Sequence, residues 1–160
     1  MKLGLEVSII SSRYNLTHNG LIFIDFSSQN AKLYSNKGWL DYLTQTGMQL
    51  VLLPDKEMKP LAAYWKKRSS LIVAVINPDD TKSEIEKKVS SPFYRARDSH
   101  VYRNNLSDIE VKTLDLMFSD KSIKQISEIL ELNIKKIYDI KRSLQLKMGG
   151  KGRLNAIISK

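Results

Sequence analysis

LSDIEVKTLDLMFSDKSIKQISEILELNIKKIYDIKRSLQLKMGGKGRLNA, residues 106–156, is the stretch whose reading decides the fold. Three helical patterns follow one another in it with short breaks. Ser107, with Glu110 three residues on, forms a capping box that starts the first, and Val111, Leu114, Leu116, Met117 and Phe118 supply its apolar face. Ser119-Asp120-Lys121 breaks that pattern. Ser122 caps the second helix, whose apolar residues are Ile123, Ile126, Ile129 and Leu130. Glu131-Leu132-Asn133 forms a turn, with Asn133 as N-cap of a third helix over 134–148. Ile137, Ile140, Leu144 and Met148 turn inward from it at three- and four-residue steps. Gly149-Gly150 ends the third helix, and a short fourth over 153–159 carries Leu154, Ile157 and Ile158.

Charge separates these helices. Residues 133–160 hold eight Lys/Arg against one acid, Asp139, whereas residues 106–132 hold three Lys and six acids. A basic third helix behind a short turn is the geometry of a recognition helix entering the major groove. A small helical core with a solvated basic face is the alternative that charge leaves open.

Leu106, Ser107, Glu110, Leu114, Leu116, Ser122, Ile126, Leu130, Asn133, Lys135, Ile137, Leu144, Lys147, Gly149, Arg153 and Ala156 fall without a gap on the LuxR-type (FixJ/NarL) helix-turn-helix pattern. Residues 106–160 therefore resemble the DNA-binding domain of that family. Asp120 departs from its usual turn Gly, which Asp tolerates in a left-handed conformation. Ile140 stands where many members have His, and Gly150 replaces a core Val. The resemblance implies that Tyr138, Asp139 and Arg142 face base edges, Arg142 suited to guanine and Asp139 to cytosine N4. It implies phosphate contacts from Lys124, Lys135, Lys136 and Lys147, and Lys141 completes the expected DNA-binding set. It also implies a dimer contact through the last helix, at Ile157 and Ile158. The same apolar pair is equally suited to packing on its own core.

Upstream, residues 91–105 are polar and basic without a sustained period and read as a linker. Arg95, Arg97 and Arg103 alternate there with Phe93, Tyr94 and Tyr102, placed either to touch nucleic acid or to tuck against a domain. Residues 1–90 alternate strands with helices. Strands are expected over 3–10, 21–26, 49–53 and 71–76, and helices over 36–46, 56–68 and, behind Asp79-Asp80 placed where its N-terminal dipole favours acids, through about Val89. Strands apolar on both faces and separated by helices indicate a parallel α/β sheet. The chain between the first two strands is too short for a crossover helix, so an antiparallel hairpin is expected there.

Asp25, Pro54 and Asn77-Pro78 each end a predicted strand, at separations of 54 − 25 = 29 and 77 − 54 = 23. That order resembles the second half of a bacterial response-regulator receiver domain, with Asp25 at the phosphoacceptor position. Pro54 stands where the family has Thr or Ser, and Asn77 where it has Lys. The family's metal-binding acid pair would fall ahead of residue 1. A phosphoryl group needs cationic neutralisation, so the resemblance implies a degenerate receiver whose chemistry is lost.

The expected organisation is thus a degenerate, receiver-like (flavodoxin-like) α/β domain over 1–90 with an antiparallel edge hairpin, a linker over 91–105, and an all-α four-helix helix-turn-helix domain over 106–160. The 160 residues carry a net charge of +9, which favours polyanionic partners. With no Cys and only His18 and His100, thiolate and multi-histidine metal chemistry is excluded. Glycine-rich phosphate loops and nucleophile signatures are missing, so no enzyme and no cofactor are expected. Nor does any apolar run suit a signal peptide or a membrane span. The reading is a cytoplasmic, phosphorylation-independent transcription regulator that binds double-stranded DNA as a homodimer or as a heterodimer with a related regulator, and is nucleoid-associated when bound. The other reading is an interaction module that pairs with such a regulator without reading DNA.

Overall fold

The computed structural model describes residues 8–10, 20–90 and 105–159, with backbone pairing alone for 8–10. The expected linker, apart from Asn105, lies outside these residues, as does most of the first expected strand.

The sheet is ordered β1 (Ser8–Ile10), β2 (Leu21–Phe26), β3 (Gln49–Pro54), β4 (Ile72–Val75). Its body is parallel: β2, β3 and β4 run the same way. The antiparallel pairing expected of the first two strands is confined to the edge, where Ser8, Ile9 and Ile10 face Phe23, Ile22 and Leu21. Period-two alternation sends Ile22, Ile24 and Phe26 into the main core, while Leu21, Phe23 and Asp25 take the other face. That second face buries Val51, Val73 and Ala74 in a smaller cluster.

Among the described residues four α-helices accompany the sheet: α1 (Ala31–Tyr34), α2 (Gly38–Thr44), α3 (Lys59–Arg68) and α4 (Lys82–Ser90). The expected helix over 36–46 is only seven residues long, so Trp39, Leu40 and Leu43 point inward while Tyr42 is 66% exposed on the opposite face. Phe26, Tyr34, Trp39, Trp65 and Tyr64 form a chain of stacked and edge-on rings. The Tyr34 hydroxyl donates to the Asp25 carbonyl at 2.7 Å, and burial together with Asp25 pushes its pKa up to about 12. Asp79 and Asp80 lie ahead of α4, each paired with a lysine. Thr81 and Glu84 cap that helix reciprocally, while Asp79 pairs with Lys59 and Asp80 with the buried Lys88.

The C-terminal half has four helices: α5 (Asp108–Phe118), α6 (Ile123–Leu130), α7 (Ile134–Lys147) and α8 (Lys151–Ile158). The fourth starts two residues before its expected position, since Gly150 at φ 101 turns the chain directly into it. Leu114, Ile126, Ile137, Leu144, Met148 and Leu154 are fully buried. They belong to the same apolar cluster as Phe26, Trp39 and Trp65. Both ends of α5 are also gripped by the sheet half. Asp108 accepts from the Tyr64 hydroxyl at 3.0 Å and pairs with Arg68, and Asp115 accepts from Ser35 at 2.7 Å. The Arg68 guanidinium lies 3.8 Å from the centre of the Tyr64 ring.

Candidate nucleic-acid interface

The turn between α6 and α7 is set by local chemistry. Ser122 and Gln125 form a reciprocal capping box at the start of α6. Asp120 ends the preceding segment in the left-handed region at φ 56, as its short polar side chain allows, and Glu131 ends α6 in the same region at φ 54. Asn133 then caps α7, its side-chain oxygen accepting from the Lys136 amide at 2.8 Å. Neither the Glu131 conformation nor its role as the corner of the turn is visible from its residue type, because Glu has no special preference for positive φ.

Ile137, Ile140, Leu144 and Met148 fasten α7 to the core, and its outer surface is left to the residues between them. Lys135, Lys136, Tyr138, Asp139 and Arg142 are exposed on α7, with Lys124 exposed on α6 and Lys141 half-buried. Six of these seven expected DNA-binding residues are therefore open to solvent. Asp139 is the only acid on α7.

Lys147, expected at a phosphate, is committed inside the chain. Its ammonium pairs with Glu110 at 2.8 Å and donates to the Asn105 carbonyl at 3.0 Å. Glu110 is 4% exposed and also accepts from Ser107 and Ser143. Burial alone would raise its carboxyl, but the hydrogen bonds from Lys147, Ser143 and Ser107 together hold it below its ordinary value of 4.5. The capping box at Ser107 is thus also the floor on which the last turn of α7 rests.

Ile157, expected at a dimer contact, is 5% exposed and packs in the shared core, with Ile158 partly buried against it. Both line a cleft of ≈ 410 Å³ between the halves, with Ser28, Gln29, Lys32, Phe118, Asp120 and Ser159. Ile129, expected on an apolar face, is 52% exposed. Ile134 at the start of α7 is 48% exposed and was not among the expected site residues. Its spacing of four from Tyr138 is the signal that would have found it.

At the carboxyl end of the parallel strands, Asp25, Pro54 and Asn77 come to one edge, Asp25 opposite Leu53 and Phe26 opposite Pro54. Asp25 is exposed and accepts from the Ser27 amide at 3.2 Å. Lys88 brings an ammonium to the end of β4, where it bonds the Val75 carbonyl at 3.1 Å and Asp80 at 2.7 Å. That lysine arrives from α4, so the strand-end residue Asn77 gave no sign of it. Among the described residues no cluster of His, Cys, Asp or Glu is arranged to hold a metal, and no helix is long and apolar enough to cross a membrane.

Residues 1–93, the sheet half, match the EcpR N-terminal domain family. The chain belongs to that family. The match ends forty positions before the cap of α7, at Asn133 (133 − 93 = 40), so the family likeness and the basic helix are separate observations. The chain is also 36% identical over 148 residues to the uncharacterized protein YqeH of Escherichia coli (strain K12), covering 92% of this chain and 70% of that protein. Among solved structures it is similar to RcsB from Salmonella enterica serovar Typhimurium bound to promoter rprA in the presence of phosphomimetic BeF3-, at 17% identity and a TM-score of 0.36. A two-component response regulator RcsB–DNA complex matches at 16% identity and a TM-score of 0.36. In both cases the likeness covers 76% of this chain, which spans 64% of the RcsB chain.

Proposed function

We propose that this protein is a DNA-binding transcription regulator that lays α7 in the major groove and acts without phosphoryl transfer. The observation that carries the reading is the outer face of α7, where Lys135, Lys136, Tyr138, Asp139 and Arg142 stand exposed on a helix whose inner face is fully packed. A rigid helix with base-reading side chains at its centre and cations beside them supplies both register and sequence discrimination. Asp25 is no working phosphoacceptor in this reading, because Pro54 and Asn77 replace the hydroxyl and ammonium of its neighbours. Two copies act together, as homodimer or heterodimer with a related regulator. Ile157 is buried, so the partly buried Ile158 is what α8 offers to a second copy.

Duplex selection from a randomised pool, followed by filter binding, tests the reading. Saturable binding that weakens steeply with salt and is reduced at least tenfold by Arg142→Ala is expected. Binding that is equally tight to every duplex, or unaffected by that substitution, would contradict it. Acetyl phosphate with Mg²⁺ is expected neither to label Asp25 nor to change the affinity.

A second reading, a module that pairs with a related regulator and leaves DNA to it, draws on Leu146 and Ile129, which are 76% and 52% exposed. It predicts no saturable binding to any duplex.

A further inference from the structure

Ile134 and Tyr138 expose 48% and 57% of their surface on the outer side of α7. Residues four apart share a helix face, so these two and Arg142 form one stripe. Exposed Lys135, Lys136 and Arg142 flank the apolar pair. The cations favour a polyanion as the occupant of this surface, and an isoleucine set among them is suited to an apolar group on that polyanion. In duplex DNA the major-groove edge displays one such group, the 5-methyl of thymine. Ile134 is also the first residue of α7, at the end of a recognition helix that reaches base edges.

We infer that Ile134, supported by Tyr138, reads thymine 5-methyl groups in the target duplex. The inference rests on the DNA-reading function proposed above and adds the chemical class of base that it selects. Ile134 and Arg142 are eight residues apart, about 12 Å along the helix, so the methyl-bearing pair lies at most about three to four base pairs from the guanine contacted by Arg142. Leu146 continues the stripe, but stands a further turn beyond Arg142 and away from the bases that Ile134 meets.

The test uses the full chain and its selected duplex, each thymine being replaced in turn by deoxyuridine, which removes the methyl alone. At one or two positions affinity is expected to fall about three- to fivefold, the scale of one buried methyl group. Ile134→Ala is expected to erase that contrast and Leu146→Ala to preserve it. Ile134 is exposed and Ala favours helix, so the variant keeps its fold. Equal binding of thymine and deoxyuridine at every position, or a contrast that survives Ile134→Ala, overturns the inference while leaving DNA reading intact. Failure to bind any duplex removes the underlying reading, and the inference with it.

Discussion

The ammonium of Lys147 lies 2.8 Å from the carboxylate of Glu110, tying the last turn of α7 to the first turn of α5. Glu110 is nearly fully buried, so losing Lys147 would strand a carboxylate with only hydroxyl and amide donors. Lys147→Met is expected to cost about 3 kcal/mol, because breaking a buried pair from one side leaves its desolvation uncompensated. Chemical denaturation measures it. A loss below 0.5 kcal/mol would show that the pair is dispensable, and the lysine would be free for phosphate.

The same pair sets an acid limit. A carboxyl held below its ordinary value contributes stability that is complete above that value and is lost as pH falls through the folded-state one. For Glu110 the loss therefore begins below about pH 4.5. In Glu110→Gln the acid-dependent part of the stability is expected to shrink, giving a flatter urea midpoint between pH 5 and pH 3.

The apolar cluster that joins the halves is expected to make unfolding one event. Both tryptophans, Trp39 and Trp65, lie in the sheet half, whereas Leu144 sits fully buried in α7. Leu144→Ala is expected to destabilise by about 2–5 kcal/mol and to shift the tryptophan fluorescence transition as far as the far-ultraviolet circular dichroism transition. Two separated midpoints would mean that the halves melt independently.

Glu131 holds a left-handed backbone without the benefit of a missing Cβ. Glu131→Gly is expected to raise stability by about 0.5–1 kcal/mol by relieving that cost. At Gly149, with φ 88, a Cβ would stand 3.1 Å from Cγ of Glu57. Gly149→Ala is therefore expected to destabilise. Thermal melts of the two variants should move in opposite directions.

Much of this was legible beforehand, and the reasons are local. The capping boxes at Ser107 and Ser122, the Asn133 cap and the inward row Ile137, Ile140, Leu144 and Met148 depend on neighbours within four positions. The strands 21–26 and 49–53 announce themselves by continuous apolar runs. What escaped depends on partners far away in the chain. Asp108 and Asp115 look like ordinary surface acids until Tyr64, Arg68 and Ser35 are brought to them. Lys147 looks like one more groove-facing cation until Glu110 is underneath it. Four-residue α1 is too short to show a period. Ile157 exposes no rule by which an apolar terminal residue chooses between its own core and another copy.

Because α5, α7 and α8 are built into the same apolar cluster as the sheet, freeing α7 also breaks packing on the sheet half. The stability of the basic helix is thereby tied to residues such as Phe26 and Trp65, which lie in the sheet half. A substitution there is expected to lower the number of intact molecules without altering the exposed face of α7 in those that survive, so abundance and surface chemistry become separately adjustable quantities.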